Sequence, residues 1–398
     1  MSGREVELSV HLDGRRDRVR WSLPSGHTAS EDDAADAALT ATLLVAMARD
    51  EALTLEAPIS ARLDLQVPLI QDIFATWARH SQLMRGLPPG FRRVSVEAGA
   101  RPAPSHHGRA TGVGRSACFF SGGLDSFTSA LAHRDEDLTL VYVHGLDVPL
   151  HDTARRERFS AVVRHAAATL GLALVEVETD VRAFTDHDVD WLDGHGAALA
   201  GIAMLLGSAF SRVYVPATDT YATLVTLGSH PLVDPLWSTE RVELVHDGAR
   251  YTRIDKLRII DAEPIARETL RVCVRDGIGE FNCGRCWKCV LTMVGVHSLG
   301  IADRFSTLPD LGERELLRRV AEPAPDVAVR SWDRHRMLWV PYLAAAEEHL
   351  GAASRRRLEA ALALRYARSR ARTETGKIRQ ATTRNIGRLR GAHSGTGS

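Results

Sequence analysis

No stretch of this 398-residue sequence stays apolar for long enough to cross a bilayer. Neither sign of charge is in excess. Lys and Arg number 50 and Asp and Glu number 50, so the chain as a whole exerts no pull on nucleic acid or an anionic membrane. Cysteine is scarce, 5 in all, and four of these lie close together. That excludes a disulfide scaffold and points to a reducing, cytoplasmic compartment. The first residues are charged and polar, which predicts no secretory signal. Apolar residues still make up 44% of the chain, as in a globular protein of two or three domains.

What is present centres on Cys118-Phe119-Phe120-Ser121-Gly122-Gly123-Leu124-Asp125-Ser126. Cys118 to Phe120 predict the end of a short buried strand. Phe127, Ala130 and Leu131 then repeat at helical spacing. A glycine pair at a strand-to-helix turn lets backbone N–H groups crowd around an anion. The helix start adds unpaired donors and the positive end of its dipole. The hydroxyls of Ser121 and Ser126 can contact the same oxygens, and Asp125 can orient the loop or a magnesium-bound water. The stretch is a phosphate cradle. It is not the G-x-x-x-x-G-K-[ST] loop, because no lysine sits in the turn. Ser-Gly-Gly-x-Asp-Ser instead resembles the signature of the PP-loop ATP pyrophosphatases, a group that includes NAD synthetase, the GMP and asparagine synthetases, tRNA-thiolating enzymes and 7-cyano-7-deazaguanine synthase. In such enzymes the loop holds the pyrophosphate end of ATP while a substrate oxygen is adenylated. The resemblance implies ATP and Mg2+ as cofactors.

Residues 1–110 read as a separate α+β module. Val6, Leu8 and Val10 alternate, as do Val19 and Trp21, which predicts a strand pair. Ala34 to Met47 reads as a helix capped by Ser30 or Thr28, and Val67 to His80 as another. Phe91 to Val96 reads as a returning strand, and residues 101–114, rich in Pro and Gly, as a linker. From 115 to 216 strands and helices alternate: Leu138–Val143, Thr153–Leu170, Leu172–Val177, Gly196–Phe210 and Val213–Val215. That alternation predicts an α/β fold with a doubly wound parallel sheet, of the PP-loop type by resemblance. Ligands of such sheets sit at the carboxyl ends of the strands. The rule gathers the Ser121–Ser126 turn, His144 and its neighbours, Glu178 to Asp180, and Ala217 to Asp219 around one crevice. By resemblance the backbone near Val143 meets the adenine edge.

Residues 216–240 lack clear periodicity yet keep aromatic and aliphatic side chains, which marks a functional loop. Asp219, Tyr221, Ser229, His230 and Asp234 are its candidate substrate contacts, and turn stabilisation is the competing role for each. Arg253 and Lys256 open a further helix, and Lys256 can reach a phosphate or the leaving pyrophosphate.

Cys273, Cys283, Cys286 and Cys289 follow a C-x9-C-x2-C-x2-C spacing. Tight C-x2-C pairs put two thiolates on one side of a turn, and Gly284 permits the sharp backbone there. Four soft ligands suit a structural tetrahedral Zn2+, with an iron–sulfur cluster as the alternative. Cys118 reads as core. A PP-loop followed by Cys…Cys-Gly-x-Cys-x-x-Cys resembles the 7-cyano-7-deazaguanine synthase family over about residues 115–300, in which these cysteines correspond to the zinc ligands. That family activates a deazapurine carboxylate with ATP, adds ammonia and dehydrates the amide. The long extensions at both ends and the 216–240 segment depart from its pattern, so the resemblance carries the ATP chemistry and the zinc further than the deazapurine.

Residues 301–350 read as helical, and the basic stretch from Arg355, with Arg365 to Arg372, as either a nucleic-acid contact or a solvated helix and tail. The resulting expectation is a domain at 115–300 holding cradle and cysteines, with a C-terminal extension at 301–398. Its activity is an ATP-dependent, AMP-forming ligase joining a small carboxylate (or amide) to ammonia. An RNA-thiolating enzyme and a non-catalytic nucleotide sensor are the alternatives.

Overall fold

The structure, a computed structural model, describes residues 4–85, 90–102, 115–273, 281–322 and 332–368, without the side chains of 81–85 and 332–336. Most of the expected linker at 101–114 and the basic tail beyond 368 lie outside the described residues. The chain divides into two compact units, Met1–Arg271 and Val272–Ser398.

The first unit begins with a hairpin, β1 (Glu5–Leu12) and β2 (Arg15–Ser22), followed by helix α1 (Glu31–Arg49). Ser30 caps α1: its hydroxyl accepts from Asp33 N–H, and the Asp33 carboxylate accepts from Ser30 N–H. Short strands β3 (Leu53–Thr54) and β4 (Ile59–Ser60), helix α2 (Ala61–Arg85) and strands β5 (Val96–Glu97) and β6 (Ala100–Arg101) follow. β3 pairs with β5 and β4 with β6. The alternating part runs β7 (Ser116–Phe119), α3 (Leu124–Ala132), β8 (Leu138–His144), α4 (Thr153–Leu170), β9 (Ala173–Thr179), α5 (Val181–Thr185), α6 (Trp191–Leu205) and β10 (Arg212–Pro216). It ends with β11 (Glu243–Asp247), α7 (Arg253–Asp261) and α8 (Pro264–Thr269).

Seven strands form one sheet in the order β1-β2-β9-β8-β7-β10-β11. The five from β9 to β11 are parallel, and β1 and β2 add antiparallel at the β9 edge. The fold is therefore α/β with a mostly parallel sheet, compatible with a doubly wound arrangement. The chain steps from β7 to β8 and β9 on one side and resumes at β10 on the other. The order of strands reverses at β7, and a crevice opens at the carboxyl ends beside such a reversal.

This arrangement corrects two expected boundaries. Residues 1–110 do not stand apart: Trp21 and Ser22 of β2 pair with Thr179 and Glu178 of β9. Helix α1 is buried nearly all round and lies against α6, so closely that a Cβ on Gly201 would sit 2.6 Å from the Thr40 hydroxyl. The apolar part of α6, from Gly196 to Leu205, needs cover on more than one side, and α1 supplies it. The second correction is that the cysteine cluster does not share a unit with the sheet, because the division falls after Arg271. Residues 91–95 also fail to form the expected strand, and only Val96–Glu97 pairs.

The second unit carries the cysteines, then α9 (Trp287–Ser298), α10 (Glu313–Val320), α11 (Trp332–Leu350) and a helical stretch over 352–368. Trp339 and Tyr342 of α11 are buried. No helix among the described residues is long and apolar enough to cross a membrane.

Candidate functional site

The turn from β7 into α3 is built around Gly122, whose φ of 72° lies in the left-handed region, and a Cβ there would meet nothing within 4 Å. Such a backbone favours glycine and leaves open space beside it. Ser126 does not face that space. Its hydroxyl accepts from Gly123 N–H (3.1 Å) and Ser121 N–H (3.3 Å) and donates to the Gly123 carbonyl (3.1 Å), and the residue is buried. The Ser126 hydroxyl, expected to contact phosphate, braces the turn here. No internal acceptor reaches the amides of Gly122, Leu124 and Asp125 among the described residues, as expected at a helix start. The Leu124 side chain is core, 2% exposed, so only its amide can serve a ligand.

A second segment grips the turn from behind. Arg271 N–H donates to the Gly122 carbonyl (2.9 Å), and the Arg271 carbonyl would lie 3.4 Å from a Cβ on Gly123. The Arg271 guanidinium lies over the Phe159 ring at 4.3 Å and pairs with Asp147 at 3.2 Å. Sequence reasoning missed Arg271, because nothing local marks it.

Asp125 and Lys256 meet. Lys256 Nζ lies 2.6 Å from Asp125 Oδ1 and also donates to the Ala217 carbonyl at the end of β10. Arg253 approaches Asp125 Oδ2 at 3.8 Å. Helix α7 starts at Thr252, which shares a capping box with Asp255, and this sets Arg253 and Lys256 on one face at i,i+3 spacing. Two cations in the first turn of a helix oppose its dipole. Lys256 is only 1% exposed, and lysine occurs in this chain only at 256, 288 and 377. The buried lysine is held against the dipole by Asp125 and the Ala217 carbonyl. The sequence signal for Arg253 was present, and its approach to Asp125 was not.

Val143 is buried in β8. On the β7 side the pairing stops at Val141, which pairs with Phe119 and accepts from Phe120 N–H. Val143 thus lies two residues past the end of that ladder, on the carboxyl-end side of the sheet. His144 is engaged elsewhere: its Nε2 lies 2.7 Å from Glu176, and Arg156 donates to its Nδ1. Burial would raise the Glu176 carboxyl, but hydrogen bonds from His144, Ser160 and Arg164 outweigh it and hold the group down at about 2. Gly145 follows at φ 94°, where a Cβ would lie 1.7 Å from the Thr179 carbonyl, so only glycine allows this close approach of β8 and β9.

The segment after β10 separates into two parts. Tyr221 is 63% exposed and anchored through its N–H to the Ala249 carbonyl (2.9 Å). Asp219 is half-buried. Asp234 is 1% exposed and fully engaged. Its Oδ2 accepts from Ser229 Oγ (2.7 Å) and lies 2.7 Å from His246 Nδ1, and its Oδ1 accepts from His230 N–H (3.2 Å). His230 is buried with its ring edge-on to Trp77. Burial, aided by His246, pushes the His230 imidazole below its ordinary range, against Asp234 and Asp219. His230 and Asp234 therefore hold the loop together. His246 was missed with its strand, β11. The alternation of Leu244 and His246 in Glu-Leu-Val-His-Asp was the available signal.

The four cysteines come together, with all their Sγ atoms within 4.8 Å of one another. Cys283 to Cys289 and Cys273 to Cys286 are each 4.0 Å. Four sulfurs around one zinc at about 2.3 Å define edges of about 3.8 Å. The amides of Arg285 and Cys286 point at Cys283 Sγ (3.4 and 3.3 Å). Gly284 turns at φ 62° with its carbonyl held by Arg319. Buried Asn282, another residue missed from sequence, accepts from the amides of Val272 (2.9 Å) and Cys273 (3.2 Å) and donates to the Thr307 carbonyl, fixing Cys273 beside Cys283. A hydrogen bond to Cys286, then burial and the neighbouring cysteines, push the Cys289 thiol up, and a cation in the cluster would reverse this. The cluster could hold a metal ion such as zinc.

Part of the basic stretch is accounted for inside the second unit. Arg357 pairs with Glu313, Arg355 with Glu347 and Glu359, and Arg365 and Arg368 donate to carbonyls at the end of α10. No family model, no curated protein and no solved structure matches this chain.

Proposed function

We propose that the chain is an ATP-dependent, AMP-forming carbon–nitrogen ligase of the PP-loop type. The observation that carries this reading is the open turn at Gly122: unengaged amides at a helix start, beside the Asp125–Lys256 pair, where the strand order reverses. The amides of Gly122, Leu124 and Asp125 bind the β- and γ-phosphates. Lys256 and Arg253 hold Asp125 in place and supply positive potential for the leaving pyrophosphate. An oxygen of the substrate carboxylate attacks the α-phosphorus, and the bond to the β-phosphate oxygen breaks. Ammonia then attacks the acyl carbon and AMP leaves with the bonding electrons. The protein contributes positioning and charge, with no covalent intermediate on a side chain. Magnesium, held by the phosphates and Asp125, would neutralise the leaving group. Tyr221 and Asp219 are the candidate acceptor contacts, and the deazapurine carboxylate implied by the resemblance is the first acceptor to assay. The four cysteines fill every position of a tetrahedral Zn2+, which gives the metal a structural role. An iron–sulfur cluster in their place would show as visible absorption.

The test incubates the protein with Mg-ATP, ammonia and a panel of carboxylates and resolves the nucleotide products. AMP and pyrophosphate are expected. ADP and phosphate would reject the scheme.

A further inference from the structure

We infer that the outer edge of β1 is a docking surface for a second copy of this chain, joined antiparallel across a two-fold axis at Leu8. Strand β1 is the terminal strand of the sheet, and its eight residues pair with β2 without a break. Leu23 N–H donates to the Arg4 carbonyl in the same register, so the even-numbered residues turn their backbone groups toward β2. Glu5, Glu7, Ser9 and His11 turn theirs outward. No partner reaches those amides among the described residues, and all four residues are exposed.

Exposed edges are normally guarded by proline, a bulge, lysine or an inward charge. Strand β1, Glu-Val-Glu-Leu-Ser-Val-His-Leu, has no proline and no lysine, keeps an unbulged register, and turns its charges outward. Its sequence is also self-complementary in one register. With Leu8 opposite its own copy, the outward-facing residues pair as Glu5 with His11 and Glu7 with Ser9, each twice. Val6 meets Val10 on the other face, the face that continues into buried Val19 and Trp21. Shifting by one residue on each strand puts Glu7 against Glu7, and shifting the other way pairs Glu7 with His11 but sets Glu5 toward Asp13 of the hairpin turn. Both bring like charges together, which is unfavourable. A two-fold contact requires this kind of self-matching.

The test measures mass by sedimentation across a wide range of concentration. A concentration-dependent dimer is expected. His11→Glu places Glu against Glu5 and should weaken the dimer about tenfold or more. Adding Glu5→Lys to His11→Glu should restore it, which separates a register effect from misfolding. With dissolved oxygen as the two-electron oxidant, Leu8→Cys should give a disulfide-linked dimer, because partners across a non-hydrogen-bonded pair lie about 4.5–5.5 Å apart at Cβ. Leu12→Cys, opposite Arg4, should not. A monomer at every concentration would overturn the proposal, whether the outward amides exchange freely or are protected by another part of the same chain. A dimer indifferent to His11→Glu would overturn it too, since the contact would then lie elsewhere.

Discussion

The turn at Gly122 and the cluster around Asp234 lie in the same unit and use the same residue types to opposite ends. At the turn, side chains are engaged and the backbone is left open. Ser126 braces the loop, Lys256 holds Asp125, and the amides of Gly122, Leu124 and Asp125 face no internal acceptor. Around Asp234 every polar atom of the carboxylate already has a partner. A ligand site needs unsatisfied donors at the surface, and a structural knot needs none. The contrast places His230 and Asp234 in a buried brace, and the acceptor contacts proposed above are Asp219 and Tyr221.

Breaking the knot should have the largest effect on folding. Asp234→Ala strands His246, Ser229 and the His230 amide in a buried setting, and a loss of about 3–5 kcal/mol is expected in urea unfolding. A loss below about 1 kcal/mol would show that the cluster is not the brace described. Next comes Lys256→Met, which fills the same space without the charge. It leaves the Ala217 carbonyl without a donor, for about 1–3 kcal/mol of stability. Its larger consequence should be on ATP turnover, reduced well beyond what the lost stability explains. Full activity in the folded variant would remove Lys256 from the site.

The smallest effect sharpens the comparison on the other flank of the sheet. The Glu176 carboxylate is held near 2, below its ordinary value of 4.5, so its stabilisation is complete above that value and is lost as pH falls toward 2. Wild type should exceed Glu176→Gln in stability by a constant amount at neutral pH, and the gap should close on acidification. A gap that persists at the acid end would mean that His144, Ser160 and Arg164 do not favour the ionised form.

What the sequence reveals follows the range of the interactions. The strand–turn–helix at 116–132 is legible because its apolar period, glycines and cap lie within a few residues. The cysteine spacing is legible for the same reason, as are Ser30 and the span Thr153–Leu170. Strand β11 is short and polar at both ends, and only its pairing with β10 makes it a strand, so His246 went unseen with it. The joining of β2 to β9 and the packing of α1 on α6 connect residues more than a hundred positions apart, and no local pattern encodes them. Arg271 acts on a backbone group far along the chain, and Asn282 on backbone groups across a loop, and neither leaves a mark in residue type.

The most direct measurement is the affinity of the protein for Mg-ATP compared with AMP, in wild type and in Gly122→Ala. The turn is proposed to hold the β- and γ-phosphates, so ATP should bind far more tightly than AMP. A Cβ in the left-handed backbone, at a cost of about 1–2 kcal/mol, should erase most of that difference while the protein stays folded. Equal affinity for ATP and AMP in the wild type, or an unchanged preference in Gly122→Ala, would contradict the account.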